Sequence, residues 1–335
     1  MSNYKVKDIL EALDTITSGR VIRNAAGYAG GNPFVVTKTS GIPGKAITEL
    51  PGLVWGNPEQ PVKKIGVMMT LTESAIELAG ATGVDALISH HPIGEGSNTG
   101  GVIAKYYSNL YKLALFELHE AFHGLHPGIA WIHGSKALKA NIAFGGEVGK
   151  IVWYGEALPE VDTLQDFLDR VDRIMGTETE NQVLDAERKI RACSGICETS
   201  VSARAKIFVG KPENKLGKTI TIFPHTGFNS SDLEKAYAEY PADTLVANIS
   251  RPLDDNPLID KAKELGMNFV AGNSHALEIF ENGIPLAYAL QNQLPGLEVC
   301  LFRERMTSIP LKSVGNQELK EYGQSMADLH LPKKQ

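Results

Sequence analysis

Short apolar runs alternate with helix-length segments from residue 63 onward, and this alternation restricts the fold more than any other feature. Residues 63–70 contain Ile65-Gly66-Val67-Met68-Met69, residues 72–80 have helical spacing behind Thr72 as N-cap, and residues 84–91 bring the next apolar run. Strands that are apolar on both faces and joined through a helix pair in parallel, with helices covering both sides. The same alternation returns with strands at 113–118, 219–223, 244–249, 267–271 and 297–302 and helices at 164–174, 232–240, 258–265, 276–281 and 285–293. The expectation is an α/β fold of mainly parallel sheets flanked by helices.

Other segments are read less regularly. Residues 6–16 form an amphipathic opening helix, and 18–51 a long irregular excursion rich in glycine. Residues 127–141 are read as a helix, 178–188 as a charged connector and 189–193 as a strand. Gly44-Lys45 resembles the end of a phosphate loop, but position 39 is threonine and alanine follows the lysine, so that motif is discarded.

With 335 residues the chain exceeds one typical core, since cores stop growing near ~250–300 residues, and about two domains are expected. A net charge of -6 and the lack of any Lys/Arg stripe disfavour nucleic-acid binding. The N-terminus mixes charge with polarity, and no run approaches the ~18–20 apolar residues of a membrane span, so a cytoplasmic location without membrane contact is the default expectation. Cys193, Cys197 and Cys300 match no redox or zinc-knuckle spacing, and Cys193 with Cys197 is read as a buried structural pair.

Three of the expected strands end in histidine: Ser89-His90-His91-Pro92, Leu118-His119 with His123 four residues on, and Asn273-Ser274-His275 with Glu278 three residues on. In open α/β sheets ligands bind beyond the carboxyl ends of strands, so the three ends can face one crevice. A single strand-end histidine is more often a hydrogen-bonded core or rim residue than a ligand. Adjacency alters the balance for His90 and His91, because Pro92 forces an extended turn where the strand ends. His126 and His133 read as capping or surface residues, His225 as a loop residue, and His330 carries no signal. Imidazoles with a carboxylate suit zinc, iron or manganese, and five or more candidates point to an open or dinuclear site.

These residues resemble the GTP cyclohydrolase 1 type 2 homologues. The likeness rests on Pro51-Gly52-Leu53-Val54-Trp55-Gly56-Asn57-Pro58, Lys63-Lys64-Ile65-Gly66-Val67-Met68 and Asp85-Ala86-Leu87-Ile88-Ser89-His90-His91-Pro92. It continues through Phe269-Val270-Ala271-Gly272-Asn273-Ser274-His275-Ala276-Leu277-Glu278 and Gly283-Ile284-Pro285-Leu286-Ala287. The resemblance implies ring-shaped homohexamers of two-lobed subunits with a dinuclear metal centre between the lobes. Residues 1–143 and 240–335 would form the metal-binding lobe, and 144–239 an inserted α/β lobe. The implied ligands are His90, His91, the position of His123, His275 and Glu278. The chain departs from the pattern where His123 replaces an aspartate, where the histidine-to-glutamate spacing at His275 is one shorter, and where Thr70 replaces an aspartate. Exchanging a bridging carboxylate for imidazole makes close approach of two cations harder, so one or two per subunit are expected, zinc or iron ahead of manganese.

The function these expectations favour is metal-dependent hydrolysis of a small substrate, nucleotide-like compounds included, with His119 or Glu120 moving the proton. His119 equally suits a ligand or a residue that orients one. The alternative is a hexameric metal-handling protein without turnover.

Overall fold

The computed structural model describes residues 4–23, 37–39, 46–93, 104–119, 128–147 and 149–330. Among the described residues, eleven strands build two main sheets. In chain order they are β1 (Gly52–Trp55), β2 (Lys64–Met68), β3 (Ala86–Ser89), β4 (Ala114–Glu117), β5 (Ser135–Asn141), β6 (Val152–Ala157), β7 (Lys206–Val209), β8 (Lys218–Ile222), β9 (Thr244–Ala247), β10 (Asn268–Ala271) and β11 (Glu298–Phe302).

The first sheet has the order β11-β2-β3-β4-β1 and is parallel except at β1. Its strands are apolar on both faces because helices cover both. Ile65, Val67, Ile88 and Phe116 pack against Val6, Ile9 and Leu13 of the helix Val6–Ile16 and against Leu286 and Leu290 of the helix Ile284–Gln293. Met68, Leu87 and Leu115 face the other way, onto Ala75, Ile76 and Ala79 of the helix Glu73–Ala81, whose N-cap Thr72 accepts from Ala75 N. Each fully buried Leu, Ile or Phe side chain contributes about 1.5–3 kcal/mol, so this alternation fixes the register of the strand ends.

The second sheet has the order β7-β10-β9-β8-β6-β5. Only β8, β9 and β10 run parallel, while β5, β6 and β7 pair antiparallel with their neighbours. The sheet is therefore mixed. The reversal between β5 and β6 is made by the tight turn Phe144–Gly146, where Gly145 has φ 68°, too short a connection for a parallel crossover.

Three local expectations are corrected. The helix expected over 127–141 stops at Ile132, because Gly134 turns the chain at φ 76° and Ser135–Asn141 pairs with β6 as an edge strand. Its Ser-Lys-Ala-Leu-Lys-Ala-Asn sequence suits a helix by propensity, but sheet pairing decides. The connector expected at 178–188 and the strand at 189–193 are both replaced by the helix Thr177–Ile190, which buries Glu180 and Leu184 and leaves its charged face in water. Cys193 is buried with Leu184 and Ile196, whereas Cys197 is exposed, so the two do not form a buried pair.

The second sheet also crosses both of the lobe boundaries expected from sequence, since β5 precedes residue 144 and β9 and β10 follow residue 240. Of the main-sheet strands after residue 240, β11 alone joins the first sheet, parallel to β2. The segment leading there passes between the cores. Leu277 packs in the core of the second sheet, Ile279 in that of the first, and Phe280 touches both.

Candidate metal centre

The site forms where parallel strands of both sheets end. In the first sheet Met68, Ser89 and Glu117 stand in one row. The ladder continues one step past the strands, with His90 N donating to Met68 O at 3.0 Å, His91 N to Met69 O at 2.8 Å and Leu118 N to Ser89 O at 2.9 Å. His90, His91 and His119 are thereby brought side by side. The buried Glu117 carboxylate secures the turn after His91, accepting from Ile93 N at 2.9 Å and from Leu50 N at 2.7 Å. In the second sheet Ile222, Ala247 and Ala271 share a row, and His225, Ser250 and His275 follow it.

His275 opens the 3₁₀ turn His275–Leu277, and Glu278 stands at its end, immediately before the π-helical turn Ile279–Gly283. A π turn re-aims side chains by one residue and recurs at functional sites. The loop before it is held by buried Asn273, whose Oδ1 accepts from Ser274 N at 2.8 Å and whose Nδ2 donates to Thr177 Oγ1 at 3.3 Å. The helix expected over 276–281 is thus two tighter and wider turns, yet the three-residue spacing still places His275 and Glu278 together.

Glu278 is the centre of the group. Its carboxylate lies 2.6 Å from His275 Nε2, 3.3 Å from His91 Nε2 and 3.5 Å from His90 Nε2, and Oε1 accepts from Asn282 Nδ2 at 3.2 Å. His275 Nε2 and His91 Nε2 are 3.4 Å apart. Burial alone would raise the Glu278 pKa, but contacts with His275, His90 and His91 outweigh it and hold the carboxyl well below its usual range. For His275, burial pulls downward while the Glu278 carboxylate pulls upward more strongly, so its imidazole is raised. His91 Nδ1 is 2.7 Å from Thr70 Oγ1, and Thr70 N donates to Glu304 Oε1 at 2.8 Å. His119 stacks beside His90 with ring centres 4.6 Å apart, and its Nδ1 is 3.4 Å from Glu49 Oε2.

One ligand atom each from His90, His91 and Glu278 lie within 4.8 Å of one another, as three donors to one ion must. Two imidazole nitrogens and a carboxylate oxygen form a set suited to a borderline first-row cation. The structure therefore gathers His90, His91, His119, His275 and Glu278. Glu120 and His123, expected as a proton carrier and a ligand, lie outside the described residues, as does His126.

His225, read from sequence as a loop residue, lies in the 3₁₀ turn Pro224–Thr226, and its ring centre is 4.8 Å from that of His275. Like the others it follows a strand end, and Pro224 disguised that signal. His133 is fully buried rather than capping or exposed, with Nδ1 2.8 Å from Ile129 O, and burial lowers its pKa to about 4.

The family model Duf34/NIF3 (NGG1p interacting factor 3) matches residues 45–201, a stretch that includes His90, His91 and His119. Over these residues the chain is similar to the Duf34/NIF3 family. This is the family of GTP cyclohydrolase 1 type 2 homologues that the sequence resembles. Solved structures share its fold across most of the chain. Reduced HcgD from Methanocaldococcus jannaschii is 18% identical with a TM-score of 0.55, over 89% of this chain and 98% of that one. A Bacillus cereus protein related to NIF3 is 12% identical with a TM-score of 0.52, over 91% and 97%. The structural-genomics protein ybgI, of unknown function, is 16% identical with a TM-score of 0.53, over 89% and 98%. No curated protein matches the sequence.

Proposed function

We propose that this protein binds a divalent first-row metal ion at His90, His91 and Glu278 and hydrolyses a small substrate there, nucleotides being one class to screen. The observation that supports it is the convergence of three donor atoms within 4.8 Å at a largely buried position. A dry surrounding strengthens cation binding by an ionised carboxylate, and Glu278 is held ionised. A cation at this position supplies Lewis acidity and lowers the pKa of a water towards ~7. The chain supplies the rest. Thr70 sets the ring of His91, Asn282 orients Glu278, and His119 beside His90 is placed to take or return a proton. Zinc or iron fits the nitrogen-rich set better than manganese, with one or two ions per subunit, and a homohexameric assembly is part of the same reading.

One observation favours metal handling without turnover. His275 Nε2, 3.4 Å from His91 Nε2, adds a fourth protein donor beside the triad, and four protein donors close a tetrahedral shell.

The test is metal content by mass spectrometry on protein purified without added metal, beside the His90→Ala/His91→Ala variant. Metal in the natural chain that is lost in the variant supports the site, and absence of metal from both overturns it. Turnover in a hydrolase screen that disappears with the metal separates the enzyme from the carrier.

A further inference from the structure

The opposite end of the first sheet carries a separate polar site. A cavity of about 490 Å³ opens there, where β1 ends and β4 begins. Leu53, Trp55 and Leu113 supply apolar lining, and Asn57, Gln60, Asn109 and Lys112 supply the polar groups. The volume falls within the range of about 300–1,000 Å³ typical of small-ligand sites. From Leu113 to Leu118 the strand advances about 17 Å at ~3.3 Å per residue, too far for one sugar-sized molecule to touch both this cavity and the histidines. We propose that the cavity binds an anionic sugar, a pyranose carrying a phosphate or a carboxylate. The proposal does not depend on the metal reading.

Three observations carry the assignment. First, each carboxamide is fixed at one end and open at the other. Asn57 Oδ1 accepts from Glu59 N at 3.0 Å, and Asn109 Oδ1 accepts from Trp55 Nε1 at 3.2 Å. Gln60 Nε2 donates to Lys112 O at 2.7 Å and to Asp85 O at 3.4 Å. Among the described residues, Nδ2 of Asn57, Nδ2 of Asn109 and Oε1 of Gln60 have no partner, which leaves two fixed donors and one fixed acceptor at the cavity. Side chains already held in place lose little freedom on binding. Sugar hydroxyls, each a donor and an acceptor, suit such a mixed set. Second, Trp55 is the one aromatic residue among the described lining residues. A nucleobase in a pocket is stacked between side chains on both faces, whereas a single indole suits the apolar C–H face of a pyranose.

Third, Lys112 gives the site its charge. It directly follows the helix Ala104–Tyr111 at φ 54°, a left-handed position that glycine fills without strain. Its backbone is held there, with N donating to Asn109 O at 3.2 Å and O accepting from Gln60. Among the described residues, its ammonium forms no ion pair and no carboxylate lines the cavity. A cation kept at a strained position beside fixed donors selects an anion.

The experiment is isothermal titration calorimetry of chelator-treated full-length protein with glucose 6-phosphate, glucuronate, glucose and inorganic phosphate. At least one of the two anionic sugars should bind with a Kd of about 1 mM or tighter, and glucose and phosphate about 10-fold more weakly or worse. The tighter of the two anionic sugars tells a phosphate ligand from a carboxylate ligand. Lys112→Gly removes the ammonium and relieves the backbone, so its thermal midpoint should rise while affinity for the anionic sugar falls about 10-fold or more. Trp55→Leu should leave glucose 6-phosphate bound no better than inorganic phosphate. His90→Ala/His91→Ala should bind the sugar like the natural chain, and loss of binding there would place the ligand at the metal centre and overturn the proposal. It is equally overturned if neither anionic sugar binds at about 10 mM, or if Lys112→Gly binds as tightly as the natural chain. Inorganic phosphate bound as tightly as glucose 6-phosphate would mean an adventitious ion only and would also overturn it.

Discussion

Glu278 Oε2 lies 2.6 Å from His275 Nε2 across one 3₁₀ turn, and the same carboxylate faces His90 and His91 of the other sheet. A single buried charge thus joins the strand ends of two separate cores. Glu278→Gln keeps the shape and the contact with Asn282 while removing that charge. Metal affinity should fall by more than the ~10–100-fold that loss of a supporting residue costs. A competition titration against a chromophoric chelator measures it, and unchanged affinity would remove Glu278 from the ligand set.

Thr70 occupies a position where the family resemblance leads one to expect aspartate, and its hydroxyl sits 2.7 Å from His91 Nδ1. Thr70→Val preserves the β-branched shape and deletes this partner. The ring of His91 then loses its fixed orientation, and metal should bind about 10–100-fold more weakly with the fold intact. The same chelator competition reports the loss, and an unaltered thermal midpoint in chelator shows that the scaffold is unaffected. Full affinity in the valine variant would mean that packing alone orients His91.

Strands β2, β3 and β4 and their half of the candidate site were legible because each run is apolar on both faces, and β3 and β4 end at polar residues. Ile88-Ser89-His90-His91-Pro92 carries the strand, its end and two candidate ligands in five positions. The second sheet was harder to read. Ser135–Asn141 is an edge strand with a polar outer face and strong helix formers, so its pairing with β6 was decided by partners distant in sequence. The nearness of His225 to His275 was missed for a related reason, since it depends on β8 lying two strands from β10, an adjacency that no local pattern records. His133 shows the converse limit: a histidine just past a short helix looks like a surface residue until the packing around it is known.

Gly272 directly follows β10 at a point where no side chain fits. A Cβ there would lie 2.2 Å from His133 Nε2 and 2.5 Å from Asn248 O. Because the second contact is backbone, the neighbours cannot simply rotate away. Gly272→Ala should destabilise the protein by about 1–3 kcal/mol, as overpacking of a core does, and should shift the loop that carries Asn273 and His275. Urea unfolding measures the first effect and metal uptake the second. A variant as stable as the natural chain would show that the loop relaxes freely at this point.

His133 gives the fold an acid-sensitive element that is independent of metal. Burial keeps its imidazole neutral down to about pH 4, against 6.5 when it is exposed in the unfolded chain. Between those values the unfolded state holds the extra proton, so stability falls as the pH drops. The loss of stability is nil above pH 6.5 and grows progressively towards pH 4, where it reaches about 3 kcal/mol. His133→Asn retains a donor for Ile129 O but has no group that titrates in this range. The variant should be less stable at neutral pH because it leaves space in the core. Its deficit relative to the natural chain should then shrink as the pH is lowered through that interval. Urea midpoints measured with chelator present, so that metal loss does not contribute, test this directly. A deficit that stays constant from pH 7 to pH 4 would show that His133 is not held neutral by the fold.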